Sequence, residues 1–424
     1  MSKRLFAVLS VLVVASLALT ACGGGGGGGG GAMTLKIVSS LPMTGASLTQ
    51  TQTIVNAMQL QVEQQGGKVC DGKYAVTYEA WDDASAALGK WDPAVETENA
   101  NKAASDSSIV AYLGTFNSGA AKLSIPILNQ AGPLAMISPA NTYPGLTHAA
   151  AGLTEANEPD VYYPSGTRNY ARVAATDDFQ GAVAVNFMVA QGIKVLYVLN
   201  DQEVYGKGVA DSTAQAAEAA GMTVIENEGF DPKAADYKSL MTKISTSNAG
   251  GPPEAIYIGS IIDNNAAQVV KDKVAIMGDN TKVKVVGPDG MFTAALVEGA
   301  GAAAEGVFAT TPGLALKDLG DAGKKFFSDY EAKFGPTKEP YAIMGYDTMG
   351  AALKAINDAC AAGADPADSK AFRAAVNKAV FAIKDFEGGL GTWSFDANGD
   401  ITLPYFLVGQ VQGGAFADFG TFVP

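Results

Sequence analysis

The chain has 424 residues and carries 43 acidic against 29 basic side chains, a formal net charge of −14. That balance excludes nucleic acid and anionic membrane surfaces as natural partners and favours solubility. One histidine, His148, and three cysteines that form no Cys/His cluster give zinc or haem no ligand set, so no metal or cofactor is expected and His148 reads as a loop residue.

At the N-terminus, Lys3 and Arg4 precede an uncharged apolar run from Leu5 to Leu19. Leu19-Thr20-Ala21-Cys22 then leads into nine glycines, Gly23 to Gly31. The run is shorter than the ~20 residues needed to span a bilayer. The pattern resembles a bacterial lipoprotein signal, which implies cleavage before Cys22 and acylation of its thiol and new amino group. Loss of Lys3 and Arg4 then takes the charge from −14 to −14 − 2 = −16. Glycine loses the most entropy on ordering, so the run reads as a flexible tether with a root-mean-square reach of roughly 15 to 18 Å. Residues 1–21 are thus read as signal and 22–33 as anchor and tether. Everything from about Thr34 onward is expected outside the cytoplasm, on the outer face of the cytoplasmic membrane or in the periplasm. With Cys22 assigned to lipid, Cys70 and Cys360 are the only remaining pair; a disulfide and two separate buried thiols both stay open.

The mature length exceeds what one hydrophobic core usually supports, which predicts two lobes. Short apolar runs alternate with helical stretches. Leu35 to Ser39, Ala75 to Trp81, Ile109 to Leu113 and Leu134 to Ile137 read as strands, separated by helices near Thr51 to Gln65, Pro93 to Ala104 and Gly119 to Gln130. Continuous apolar strands joined by helices mean a parallel sheet covered on both faces. Tyr143 to Asn169 breaks the rhythm as a long surface loop. The alternation then restarts with strands at Tyr170 to Ala175, Val195 to Leu199, Thr223 to Asn227, Ala255 to Ile258 and Val283 to Val286. Helices are expected near Phe179 to Ala190, Lys207 to Ala220, Tyr237 to Ser245, Asn264 to Ile276 and Phe292 to Glu298. Further helices at Lys324 to Phe334, Tyr341 to Ala361 and Ser369 to Phe381 precede a hairpin about Asn398-Gly399. The fold class is α/β: two doubly wound, Rossmann-like lobes with a cleft between them.

In such sheets ligands sit beyond the carboxyl ends of the strands. Four strand-to-helix turns there carry candidate chemistry. Leu113-Gly-Thr-Phe-Asn-Ser118-Gly offers a helix start where Ser118 is placed to cap and free N–H groups suit a carboxylate. Ile137-Ser-Pro-Ala140-Asn-Thr142 puts a second hydroxyl on the same edge. Val286-Gly-Pro-Asp289-Gly ends a strand with a carboxylate suited to an ammonium group. Tyr205, in Asn200-Asp-Gln-Glu-Val-Tyr-Gly, is placed to cover a ligand with its ring.

Pro42-Met-Thr-Gly45, Trp81-Asp-Asp-Ala84, Gly114-Thr-Phe-Asn-Ser118, Ser138-Pro-Ala-Asn-Thr142, Asp177-Asp-Phe-Gln-Gly181, Val204-Tyr-Gly206 and Gly287-Pro-Asp-Gly290 occur in one order along the chain. In order and spacing the set resembles the leucine/isoleucine/valine-binding proteins of ABC transporters, over essentially the whole mature chain. The resemblance implies a periplasmic-binding-protein type I fold with three crossings between lobes. Residues 34–175 and 312–390 would form the first lobe, and 176–311 and 391–424 the second. It further implies that Ser118 and Thr142 hold an α-carboxylate, with the main chain at Phe116 and Ala140 seating the ligand. Asp289, in place of the family's usual glutamate, would meet the α-ammonium, Tyr205 would close from the second lobe, and Tyr341 and Asp177 complete the ligand-binding set. The implied partners are an amino acid and an ABC permease, with the protein a lipid-anchored monomer. The chain departs from the family pattern in lacking a tyrosine after Gly45. It also has a longer loop from Tyr143 to Asn169, and Ser85 and Asn117 stand where some members have a disulfide.

The ligand expected is a branched-chain or other apolar amino acid; the competing readings are a binding protein of the same fold for an amide, urea-like or aromatic-acid solute, a sensor subunit, and, with the least support, a secreted α/β enzyme. The chain has no G-x-S-x-G elbow, its glycine run follows no strand, and Asp396-Ala-Asn-Gly-Asp400 places its glycine too early for an EF-hand.

Overall fold

The computed structural model describes residues 33–424; the expected signal, Cys22 and the expected glycine tether lie outside the described residues. Two large sheets organise the chain. The first has the strand order Lys68–Val69, Tyr74–Asp82, Thr34–Leu41, Ile109–Gly114, Met136–Ser138, Tyr170–Arg172. All its pairings are parallel except the short outer one between Lys68–Val69 and Tyr74–Asp82. The second runs Thr223–Gly229, Val195–Asn200, Ala255–Gly259, Lys284–Gly287, Phe308–Pro312, Phe406–Gln412, Ala415–Phe422. Its last two strands are antiparallel, and they and Phe308–Pro312 extend the sheet beyond the strands expected from the sequence.

Burial explains why these segments are strands. Every residue of Ile109–Gly114 and of Ala255–Gly259 is buried, as a parallel strand covered on both faces must be. The helices that cover them begin on local signals. Asp92 accepts a hydrogen bond from the Ala94 N–H and Pro93 fills the first position of Pro93–Ser105, while Asp368 caps Ser369–Phe381 through Ala371. Helix Leu48–Gln64 lies along helix Tyr341–Ala361, so the segment that returns late in sequence completes the first lobe's core.

The chain changes lobe three times: after Tyr170–Arg172, after Phe308–Pro312, and just before Phe406–Gln412. The third change lies later than residues 390/391. Gly391–Trp393 pairs with Phe386–Gly388, and Trp393 and Phe395 are buried in the first core. Asp347, in the second turn of the Tyr341–Ala361 helix, accepts the Trp393 indole N–H at 2.9 Å, and Asp400 bridges to Arg172 on the first sheet's edge. Residues 391–403 therefore belong with the first lobe, because their aromatic side chains find their burial there. The turn at Asn398-Gly399 exists, but only one isolated bridge, Phe395 to Ile401, joins its arms.

One open alternative closes and one expectation changes. Cys70 and Cys360 form a disulfide with Cα atoms 5.5 Å apart, tying the first sheet's edge to the end of the returning helix. The segment from Tyr143 to Asn169 is more than a surface loop. Tyr143, Leu146, Tyr162 and Tyr163 are buried in one cluster with Ile125 and Leu128, and the Glu158 carboxylate accepts from the hydroxyls of Tyr143 at 2.7 Å and Tyr162 at 2.5 Å.

Candidate functional site

The carboxyl ends of the two sheets face one another. Phe116, Asn117 and Ala140 from the first lobe and Tyr205, Ile261, Asp289 and Gly290 from the second line one narrow space. It measures about 10 Å³, one water's worth of room, so the cleft is shut upon its own side chains.

Strand Ile109–Gly114 delivers the first-lobe turn. Asn117, in extended conformation, is the residue before the helix, and Ser118 is its first helical residue; the expected Ser118 cap is not made. The Ser118 hydroxyl instead accepts the Tyr143 N–H at 3.3 Å. The second turn is built by Ser138, whose Oγ accepts the N–H groups of Ala140 at 3.0 Å and Asn141 at 2.8 Å and donates to the Thr115 carbonyl at 2.8 Å. The Asn141 side-chain amide donates to the Phe116 carbonyl at 2.9 Å, locking the two turns together. Thr142 Oγ1 is buried with no hydrogen-bond partner.

From the other side, Asp289 opens a short 3-10 turn after strand Lys284–Gly287. Its two carboxylate oxygens accept separate hydroxyls: Tyr205 at 2.8 Å and Tyr341 at 2.5 Å. Tyr205 lies in the first turn of helix Val204–Ala219, one residue before Gly206. A Cβ at Gly206 would stand 2.6 Å from the Gly259 carbonyl, so glycine lets this helix approach the sheet closely enough to bring the tyrosine over the site. A Cβ at Gly290 would stand 2.9 Å from the Tyr205 ring. Tyr341, on the returning first-lobe helix, packs edge-on against Phe116 with ring centroids 5.7 Å apart. Asp289 therefore joins residues from three distant parts of the chain.

Asp177 lies behind this triad. It is fully buried, its N–H donates to the Thr142 carbonyl at 2.9 Å, and neither carboxylate oxygen has a hydrogen-bond partner. Burial raises the Asp289 pKa, with the tyrosine hydroxyls working against the rise. Burial, and then the charge of Asp289, push Asp177 well above the usual carboxylate range. Among the described residues no lysine or arginine forms an ion pair with either acid. The site thus holds two buried carboxyl groups without a cation, an arrangement that a positively charged group would relieve.

The structure brings Phe116, Ala140, Tyr205, Asp289 and Tyr341 together directly, whereas Ser118, Thr142 and Asp177 are buried and do not line the space. Sequence reasoning missed Asn117, Ile261 and Gly290 in the lining. It also missed Gln50, whose amide donates to the Asp289 and Phe292 carbonyls at 3.3 and 3.4 Å. Gln50 stands in the stretch after Gly45 that departs from the family pattern, and a polar residue buried on a helix's inner face was its only signal.

Contacts across the cleft hold the lobes together. Asp263 of the second lobe accepts the N–H groups of Ala46 at 2.6 Å and Ser47 at 3.0 Å. Glu203 accepts the Trp91 indole at 2.9 Å and pairs with Lys90. His148, expected as a plain loop residue, bridges Asp400 at 3.0 Å and Asp178 at 3.2 Å, joining the first-lobe edge to the first turn of helix Asp177–Ala190.

A sequence profile of the family described as periplasmic binding protein matches residues 34–415. The chain belongs to the periplasmic binding proteins. It is 25% identical over 312 residues to the leucine-, isoleucine-, valine-, threonine- and alanine-binding protein of Pseudomonas aeruginosa, covering 73% of each chain. Among solved structures, a leucine-binding protein of Thermotoga maritima is similar with a TM-score of 0.77 at 23% identity, over 92% of this chain and 99% of that one. An ABC-transporter solute-binding protein of R. palustris in complex with benzoate is similar with a TM-score of 0.72 at 19% identity, over 92% and 97%. The fold is that of the type I periplasmic binding proteins, and no helix among the described residues is long and apolar enough to cross a membrane.

Proposed function

We propose that this periplasmic binding protein captures an amino acid, branched-chain or otherwise apolar, by closure of its two lobes and delivers it to an ABC permease. The observation that carries the reading is Asp289: a buried carboxylate, held by Tyr205 of its own lobe and by Tyr341 across the lobe boundary, and short of a cation. An α-ammonium supplies that charge. On this reading Thr142 Oγ1, buried without a partner, and the Ser118 hydroxyl, which accepts the Tyr143 N–H, serve the α-carboxylate as donors once the lobes part. Binding requires the lobes to part, because the closed cleft has room for about one water. The ligand then touches both lobes only when they close again, and so shifts the population toward the closed form. No bond is made or broken in this cycle.

The apolar wall of Phe116, Ala140 and Ile261 suits an aliphatic side chain. The benzoate-bound relative motivates a second reading, a carboxylate without an ammonium group. Asp289 and Asp177 disfavour it, since a lone anion would meet two buried acids. Calorimetry with a panel of L-amino acids, benzoate and simple amides decides: saturable binding of an apolar amino acid supports the proposal, and binding of benzoate or an amide alone overturns it.

We further propose that Cys22 anchors the protein outside the cytoplasm and that the glycine run lets the monomeric capture domain reach its permease. Cys22→Ala should move the protein from the membrane fraction to the soluble one with unchanged ligand affinity; persistent membrane attachment would sink that assignment.

A further inference from the structure

A second cavity, of about 240 Å³, lies apart from the cleft, beside the second crossing between lobes. One wall comes from the second lobe's core through Phe292, Leu407 and Phe416, the first and last of these rings stacked at 4.3 Å. The other comes from the first core through Leu319, Ile343 and Leu390. An apolar cavity of about 150 Å³ is already enough to admit benzene, so a small ring fits here without rearrangement.

One polar group in this wall is unusual. Glu339 is 6% exposed, and its Oε1 accepts the Ala294 N–H at 2.9 Å and the Thr293 hydroxyl at 3.2 Å. Its Oε2 is buried and has no partner. Lys338 and Asp418 also line the cavity, and the half-satisfied Glu339 carboxyl group leaves one strong acceptor beside its apolar rings. The geometry points to a second ligand site, for a small apolar molecule bearing one amino group, with the ring or chain against Phe292, Leu319 and Ile343 and the amino group toward the Glu339 carboxyl group. Burial raises the Glu339 pKa to about 7, and a bound ammonium would return the group to its ionised form. This site is independent of the amino-acid reading, because none of its residues lines the interlobe cleft.

Ligand-observed NMR titrations of the full chain with benzylamine, benzyl alcohol and benzoate test it. Benzylamine should bind saturably, ahead of benzyl alcohol, with benzoate excluded. Glu339→Gln should weaken benzylamine by about tenfold or more, the scale of a lost charged hydrogen bond, and leave benzyl alcohol nearly unchanged. Leu316, which also lines the cavity, is 51% exposed, so Leu316→Trp can block the opening without disturbing the core. It should abolish benzylamine binding and leave amino-acid binding intact. Binding that survives Leu316→Trp but is lost in Asp289→Ala would place the amine in the interlobe cleft and overturn the proposal. Absence of benzylamine binding at millimolar concentration, or equal binding of all three probes, would also overturn it.

Discussion

Two groups of buried acids show opposite electrostatics within one chain. Near the first lobe's edge, Asp400 accepts Arg172 Nε at 2.6 Å and also meets His148 and the Thr147 hydroxyl. Against burial, which pushes it up, Arg172 and His148 hold the Asp400 carboxyl well below its usual range. At the cleft, Asp289 and Asp177 are more deeply buried than Asp400, and both are pushed up. The first group is complete in itself: the Arg172 guanidinium also donates to the Tyr143 carbonyl at 2.8 Å, and each member has a counterpart. The second is short of positive charge. A satisfied network of this kind holds the crossing in place, whereas an unsatisfied one leaves its electrostatic gain to a ligand.

The largest expected effect comes from breaking the complete network. Arg172→Met strands Asp400 and several carbonyls in a buried site and should cost about 3–5 kcal/mol, read from urea unfolding. A loss below about 1 kcal/mol would mean that the network is not structural.

Asp289→Asn should do the reverse. It keeps the shape and one of the two acceptors but removes the charge, so affinity for the amino-acid ligand should fall by about 1.5–3 kcal/mol in calorimetry. Stability at neutral pH should hold or rise, because a carboxyl whose folded pKa is raised loses stability as pH climbs above its unfolded value. Equal losses of stability and affinity would erase the contrast between the two groups.

The pH dependence sharpens it. Asp178, and then Asp400, raise the His148 pKa from 6.5 to about 9. A raised histidine stabilises fully below its unfolded pKa and loses that contribution as pH rises through the folded value. Stability should therefore decline between about pH 6.5 and 9, by on the order of 2 kcal/mol once partial exposure is discounted. The decline in that window should be absent from His148→Gln; an identical slope in both proteins would remove His148 from the network.

The smallest effect is expected at Ser118. Ser118→Ala removes one acceptor for the Tyr143 N–H at 3.3 Å and one donor for the ligand, so it should cost about 1 kcal/mol of binding with little change in unfolding. An undiminished affinity would leave Thr142 and the turn backbone as the carboxylate seat.

The candidate site was largely legible because strand ends in parallel sheets announce themselves: Gly114 to Ser118, Ser138 to Thr142 and Gly287 to Gly290 each follow an apolar run. Gln50 and the role of His148 were not legible. Both act through partners more than 200 residues away, Asp289 for one and Asp400 for the other. The segment 391–403 was misplaced for a related reason, since periodicity marks a turn at Asn398-Gly399 without saying which core takes Trp393 and Phe395.

By itself the sequence determined what depends on neighbours along the chain: the alternation of buried strands and covering helices, the turn residues that end them, and the acidic balance of the surface. Tertiary structure alone decided what depends on proximity between remote segments. It set the pairing of Cys70 with Cys360, the meeting of Tyr205 and Tyr341 on Asp289, and which buried acids received a cation. Dihedral preference and period act within a few residues, but burial and charge compensation are fixed only when the lobes close and set distant groups a hydrogen bond apart.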